Sequence, residues 1–194
     1  MIVLSSSLIA SKKDSGGFRP IAIGEVFYRL ACHYVLHLVQ SSVPALLEPI
    51  QLAQSPGGCE RAVHFLQAAL ECKDADSVIL SVDFSNAFNT LRREFMLSRT
   101  FSVPQLSPLW RLAHWAYRSP TDLLLIQHGV LVDSIVSAEG LRQGDPLSSL
   151  LFCFSVLPEY MSTVASAPGL RAVAIVDDLE IWVLALVCWL PSII

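Results

Sequence analysis

The run AIVDDLEIW, Ala174 to Trp182, sets two adjacent aspartates inside an apolar, β-branched segment. Burying an unpaired carboxylate is costly, and a like charge beside it adds repulsion. A chain that builds strands here must bring Asp177 and Asp178 to an exposed turn, or set something positive against them. RAVAIVDDLEIWVL therefore reads as strand, turn, strand, with the two acids at the tip.

The remaining sequence has material for a large core. Of 194 residues, 53% are hydrophobic and 15% charged, which fits one large domain or two small ones. Mean hydropathy is +0.54, which raises the question of a membrane. No stretch reaches the roughly 18 apolar residues that a spanning helix needs. The longest, Ile181 to Ile194, has 14. In MIVLSSSLIASKK the serines break the apolar part and the lysines follow it, unlike a signal peptide. The expectation is an intracellular protein, in nucleus or cytoplasm, with no membrane partner. Five cysteines, Cys32, Cys59, Cys72, Cys153 and Cys188, form no C-x-x-C pair. Cys59 with His64, or Cys32 with His37, offers two zinc ligands, but no second pair is spaced to complete a tetrahedron. A net charge of −4 means that any grip on nucleic acid must come from local cations.

SKKDSGGFRP, Ser11 to Pro20, is a polar hairpin or loop. Apolar pairs at 26/27, 30/31, 34/35 and 38/39 predict an amphipathic helix over 24–40. SPGGCE breaks the chain, and a second helix follows with Ala62, Val63, Leu66, Ala69 and Leu70 on one face. SVILSVDF reads as a buried strand with Asp83 at its end, and a helix is expected around 92–99. DLLLIQ and VLVDSIV flank His128-Gly129 as a hairpin. Asp145-Pro146 reads as a helix start, an N-cap acid followed by proline, opening an uncharged and hence buried helix. The order predicts an α+β fold, an antiparallel sheet backed by helices.

If the strand ending at Asp83 neighbours the 171–184 hairpin, three carboxylates meet at one edge of a sheet. Such a cluster needs cations, and an all-oxygen donor set selects Mg²⁺. Two such ions about 4 Å apart are the machinery of nucleotidyl transfer.

In order, VDFSNAF, GLRQGDPLSSLLF and VDD resemble the palm motifs of reverse transcriptases, nearest in kind to non-LTR retrotransposon polymerases. SKKDSGGFRPI is similar to their fingers segment, and EPIQLAQSPGGCERAVHFLQ to their template-side region. The resemblance covers roughly residues 11–182. It implies a right-hand polymerase fold, with fingers over 1–76, palm over 77–184 and a non-matching apolar tail over 185–194. It implies RNA-directed synthesis of DNA from an RNA template, a DNA primer and deoxynucleoside triphosphates. Two Mg²⁺ ions, with Mn²⁺ as substitute, would be held by Asp83, Asp177 and Asp178, the last less directly. Phe88 matches the aromatic gate that leaves no room for a ribose 2′-hydroxyl. Gln143 and Gly144 match the motif against the incoming nucleotide and template base. Lys12, or equally Lys13, and Arg19 match the residues that hold the triphosphate.

Each position also has an ordinary reading. Asp83 caps the next helix, Asp177-Asp178 is a solvated turn, and Phe88 is core. Lys12-Lys13 is a solvated loop, and Gln143-Gly144 leads into a helix. Two positions depart from the family pattern: Ile175 stands where an aromatic is usual, and Ser149 where proline is. Only 16 residues follow Asp178, so the sequence reads as truncated after the Asp-Asp motif. The thumb and endonuclease regions of a longer polyprotein are expected to be missing, and this chain alone to be inactive. Two rival readings are a catalytically dead palm–fingers remnant that binds nucleic acid or a partner, and a group II intron-type or other cellular reverse transcriptase.

Overall fold

A computed structural model describes residues 4–12, 14, 16–71 and 77–184 of the chain. In chain order the elements are β1 (Ser6–Lys12), β2 (Phe18–Gly24), α1 (Val26–Val39), α2 (Val43–Leu47), α3 (Gly58–Glu71) and β3 (Ser77–Val82). Then come α4 (Ala87–Thr90), α5 (Arg93–Phe101), α6 (Ser107–Tyr117), β4 (Thr121–Gln127), β5 (Val130–Ser137), α7 (Ser148–Ala165), β6 (Arg171–Ile175) and β7 (Asp178–Leu184). The expectations for Lys13, Cys72, Cys188 and the 185–194 tail lie outside the described residues. The class is α+β, as the sequence predicts. The chain folds as two compact units, residues 1–41 with 86–155, and residues 42–85 with 156–194. None of these boundaries falls at 76/77.

The first unit holds a four-stranded sheet in the order β2-β1-β4-β5. β1 and β2 pair antiparallel from Ser6↔Gly24 to Lys12↔Phe18, so SKKDSGGFRP is the bend of a hairpin longer than itself. β4 and β5 join through His128-Gly129, both at positive φ, which is the type I′ hairpin pattern. β1 pairs parallel with β4, a non-local contact that no local pattern announces. Leu106, Leu109, Ala113, Ala116 and Tyr117 of the α6 region are buried. So are Leu147, Leu150, Leu151 and Cys153 at the start of α7, as its lack of charge predicts. α7 begins at Ser148, three residues beyond the predicted N-cap acid, although the Asp145 carboxylate still accepts from the Leu147 N–H as an N-cap would.

α1 forms where the periodicity places it, but its inward face is Tyr28, Cys32 and Val39. The apolar stripe Val26, Phe27, Leu30, Tyr34 and Leu38 is exposed, Phe27 by 80%. Burial pushes the Cys32 thiol up to about 12, so it acts as an inert, small apolar residue.

The second unit holds a three-stranded antiparallel sheet in the order β3-β7-β6. α3 covers β6: Leu52, Ala62 and Val173 are buried together, with Phe65, Leu66 and Ile175 against them. Val63 and Leu70, predicted on the same helix face, are about half exposed. β3 is a strand, as predicted, but not a buried one. It lies at an edge of its sheet, and Val78 and Leu80 on one face are exposed. A continuous apolar run does not by itself reveal whether both faces of a strand are covered.

Candidate active site

In the second unit, the β3–β7 register runs from Ser77↔Leu184 to Val82↔Leu179. Continued by one residue, it sets Asp83 opposite Asp178. Directly opposed residues share a face of the sheet. Ser81 and Glu180, two positions along, confirm the shared face: the Ser81 hydroxyl donates to Glu180 Oε2 at 2.6 Å. Asp83 and Asp178 are exposed and Asp177 is half-buried, so water reaches this end of the sheet. β6 and β7 join through Val176 and Asp177, with Ile175 paired to Asp178, so Asp177 sits in the turn itself. Ile175 packs into the Leu52–Ala62–Val173 cluster, which suits an aliphatic side chain at that departure from the family pattern. Among the described residues, no three His, Cys, Asp or Glu side chains form a closed metal-holding group. The zinc pairings considered from the sequence have no such group either.

The donor chemistry nevertheless fits a hard divalent cation. Three carboxylates, with no sulfur or imidazole among them, lie on adjoining positions of two paired strands and their turn. Like charges directly opposed across a ladder are destabilising unless a cation lies between them.

The remaining predicted residues lie in the first unit. Phe88, in α4, is half-buried and stacks on Phe152 with ring centroids 4.8 Å apart and planes 17° off parallel. Its carbonyl accepts from the Leu141 N–H at 2.7 Å, which ties α4 to the segment leading into α7. Gly144 has φ +98°, and a Cβ there would meet the Ala22 carbonyl oxygen and Ile21 Cγ2 at 2.9 Å. Beside it, the Gln143 carbonyl accepts from the Ala22 N–H at 2.7 Å. The close approach that requires this glycine is therefore to β2 of the same unit. The Gln143 side-chain oxygen is shut off from water and has no hydrogen-bond partner. Lys12 and Arg19 are both exposed on the β1–β2 hairpin. The register pairs Lys12 with Phe18 and Ser11 with Arg19, so the ladder gives the two cations opposite faces.

The sequence reading missed the polar centre of this unit. Arg142 and Asp145 form an ion pair at 2.8 Å, each side chain only 2% exposed. Tyr28 Oη donates to Asp145 Oδ2 at 2.7 Å, and the Leu147 N–H donates to Asp145 Oδ1 at 2.9 Å. Arg142 also donates to the Leu4 carbonyl at 2.9 Å and lies 4.7 Å over the Tyr117 ring. Ser148 donates to the Arg142 carbonyl at 2.7 Å. Burial, and then the Asp145 charge, push the Tyr28 and Tyr117 hydroxyls up, so both stay protonated. Burial works against the Arg142 charge, but Tyr117 and Asp145 more than offset it and hold the guanidinium protonated. One signal was legible: Arg142 and Asp145 are opposite charges close together in an otherwise uncharged stretch leading into α7. Also missed was Gln51, fully buried in the second unit. Its only sequence signal is a polar residue flanked by apolar neighbours.

Among the described residues, no helix is long and apolar enough to cross a membrane. Residues 10–183 match the family model described as reverse transcriptase (RNA-dependent DNA polymerase). A curated relative, the retrotransposable element SLACS 132 kDa protein of Trypanosoma brucei gambiense, is 26% identical over 177 residues. That match covers 91% of this chain but only 15% of the relative. Among solved structures, telomerase from Candida tropicalis in complex with a fragment of telomeric RNA superposes with a TM-score of 0.68 at 12% identity. It matches 93% of this chain and 36% of that one. Apo telomerase from the same organism, truncated from its C-terminal domain, gives 0.66 at 13% identity, covering 94% and 44%. At such identities the likeness establishes the fold.

Proposed function

Because the chain belongs to the reverse transcriptase (RNA-dependent DNA polymerase) family, we propose that it carries the nucleotidyl-transfer centre of a retroelement polymerase, adding deoxynucleotides to a DNA primer on an RNA template. The observation that carries the reading is the β3–β7 register, which sets Asp83 opposite Asp178 beside the Val176-Asp177 turn. Asp83, Asp177 and Asp178 would hold Mg²⁺, with Mn²⁺ as substitute. When bound, the metal pair lowers the pKa of the primer 3′-hydroxyl and neutralises the leaving pyrophosphate. Asp83 and Asp177 are the principal ligands in this reading and Asp178 the lesser one.

The other roles fall to the first unit. Lys12 and Arg19 attract the triphosphate, Lys12 as a point charge and Arg19 as a planar fork. Gln143 and Gly144 would stand near the incoming nucleotide through the exposed side of their segment, since Gly144 turns its other side to β2. Phe88 excludes a 2′-hydroxyl, its ring fixed by the stack on Phe152. Residues 1–76 would supply the fingers and 77–184 the palm.

The test is calorimetric titration of the 194-residue chain with a deoxynucleoside triphosphate and Mg²⁺. Binding is expected to require Mg²⁺ and to weaken at least about tenfold, roughly 1.4 kcal/mol, in Asp83→Asn and in Asp177→Asn. Asp178→Asn is expected to have a smaller effect. Binding that survives both substitutions and a chelator would refute the carboxylate site and leave the inactive-remnant reading standing.

Phe88→Ala is expected to narrow the preference for deoxy- over ribonucleoside triphosphates in the same titration. It should also lower stability, because the stacked pair contributes about 0.5–1.5 kcal/mol beyond its buried area. Phe88→Leu keeps apolar bulk and should recover part of the stability. An unchanged nucleotide preference in both variants would return Phe88 to a core role.

A further inference from the structure

We infer that Gln51 is a positioning residue for the Asp177-Asp178 turn: its side-chain amide holds the Val176 backbone in a conformation that valine disfavours and so fixes where the two carboxylates stand. The inference rests on the reading of those carboxylates as a cation site.

The turn between β6 and β7 has two central residues, Val176 and Asp177. Val176 has φ +58°, while Asp177 is not among the described residues with positive φ. Positive φ at the first central position alone is the type II′ pattern, in which that position is normally glycine. A β-branched residue there is an outlier in any protein. Such strain persists only where the surroundings over-determine it.

Gln51 supplies that determination. It has no exposed surface. Its Oε1 accepts from the Val176 N–H at 2.9 Å, and its Nε2 donates to the Val176 carbonyl at 2.9 Å. The same Oε1 accepts from the Ala53 N–H at 3.2 Å, which fixes the amide in turn. The two bonds to Val176 continue a backbone ladder. Ala174 donates to the Ile50 carbonyl at 2.7 Å and accepts from the Leu52 N–H at 2.9 Å. The chain at 50–52 thus pairs with the free edge of β6, and where the backbone ladder stops the Gln51 amide stands in for a further peptide group. A carboxamide offers a donor and an acceptor in a single plane, as a peptide group does. Ionised glutamate would face the Val176 carbonyl with a second acceptor, and methionine would leave the Val176 N–H unpaired and its carbonyl with only the Tyr160 hydroxyl, at 3.5 Å. Fixing both peptide planes of Val176 fixes the direction in which Asp177 and Asp178 leave the turn. Gln51 does this from 125 residues away in sequence, without touching a cation itself.

The test uses the 194-residue chain with Mn²⁺ as the probe. In Gln51→Met, amide exchange at Val176 should accelerate at least about tenfold, while the β3–β7 amides stay protected. Mn²⁺ affinity should fall roughly tenfold. Adding Val176→Gly, which adopts positive φ without strain, should restore Mn²⁺ affinity to within about threefold of the parent. That rescue separates positioning from a general structural role, since glycine at 176 repairs no packing around residue 51. If Gln51→Met does not fold, Gln51→Leu also removes both the donor and the acceptor, with a shorter and more compact side chain, and the same readouts apply. Unchanged Mn²⁺ affinity in the Gln51 variant, or no rescue by Val176→Gly, would overturn the inference. Asp177→Asn in the same titration keeps the two readings apart. Weak binding there with unaffected Gln51→Met refutes positioning alone, whereas full binding in Asp177→Asn refutes the cation site itself.

Discussion

Arg142→Met is expected to lower the stability of the chain by about 3–5 kcal/mol, the usual cost of removing one partner from a buried ion pair. The loss is that large because Asp145 stays behind: its carboxylate is 2% exposed and would keep only the Tyr28 hydroxyl and the Leu147 N–H. The Leu4 carbonyl would lose its donor as well. Urea unfolding with equal slopes for parent and variant would measure the difference. Arg142→Met combined with Asp145→Leu removes both charges and should recover most of the loss, leaving about 1–3 kcal/mol for the orphaned Tyr28 hydroxyl and Leu4 carbonyl. A loss in Arg142→Met below about 1 kcal/mol would show that water reaches the pair in solution.

Gly58→Ala is expected to cost about 3 kcal/mol or more, at or above the top of the range for overpacking. A Cβ at Gly58 would stand 1.9 Å from the Leu52 carbonyl oxygen and 2.8 Å from its carbon. These are backbone atoms, and they cannot retreat freely because the Leu52 N–H is bonded to Ala174 on β6. The neighbouring glycine is the control. Gly57 has φ +64°, and a Cβ there would meet only Glu60 Oε2, at an ordinary 3.9 Å, so Gly57→Ala should cost only backbone strain, about 1 kcal/mol. Thermal unfolding of both variants should therefore separate two adjacent glycines clearly. Equal losses would mean that the 52–58 bend relaxes as a whole.

What the sequence made legible was local. The His128-Gly129 hairpin, the 171–184 hairpin and the uncharged start of α7 each carry their signal within a few residues, though the second turn falls at Val176-Asp177, one residue before the predicted Asp177-Asp178 tip. The motif order around Asp83, Gln143-Gly144 and Asp177 was enough to indicate the family. What escaped depends on partners far along the chain. Tyr28 meets Asp145 across 117 residues, and nothing near Asp145 distinguishes that bond from a helix cap. The apolar stripe of α1 was legible as a stripe, but its exposure was not, because periodicity gives a helix two faces without saying which is covered. The same limit applies to β3, where an apolar run concealed an edge strand. The close packing of Gly144 on β2 likewise depends on a segment far along the chain, which the local motif does not name.

The parallel pairing of β1 with β4, sealed by Arg142 against the Leu4 carbonyl 138 residues earlier, also sets a timetable. On a ribosome adding about 5–20 residues per second, roughly 7–30 s pass between the emergence of the two ends of that contact. Until residues 107–127 have emerged, α1 lacks α6 for its buried face and β1 lacks β4 at its second edge, and the α1 tyrosine waits longer still, for Asp145. Closing so long a loop is also slow in its own right, since its entropy must be overcome before any contact rewards it. Residues 6–39 are therefore made well before the unit they belong to can close, and nascent-chain length governs when this unit first resists proteolysis.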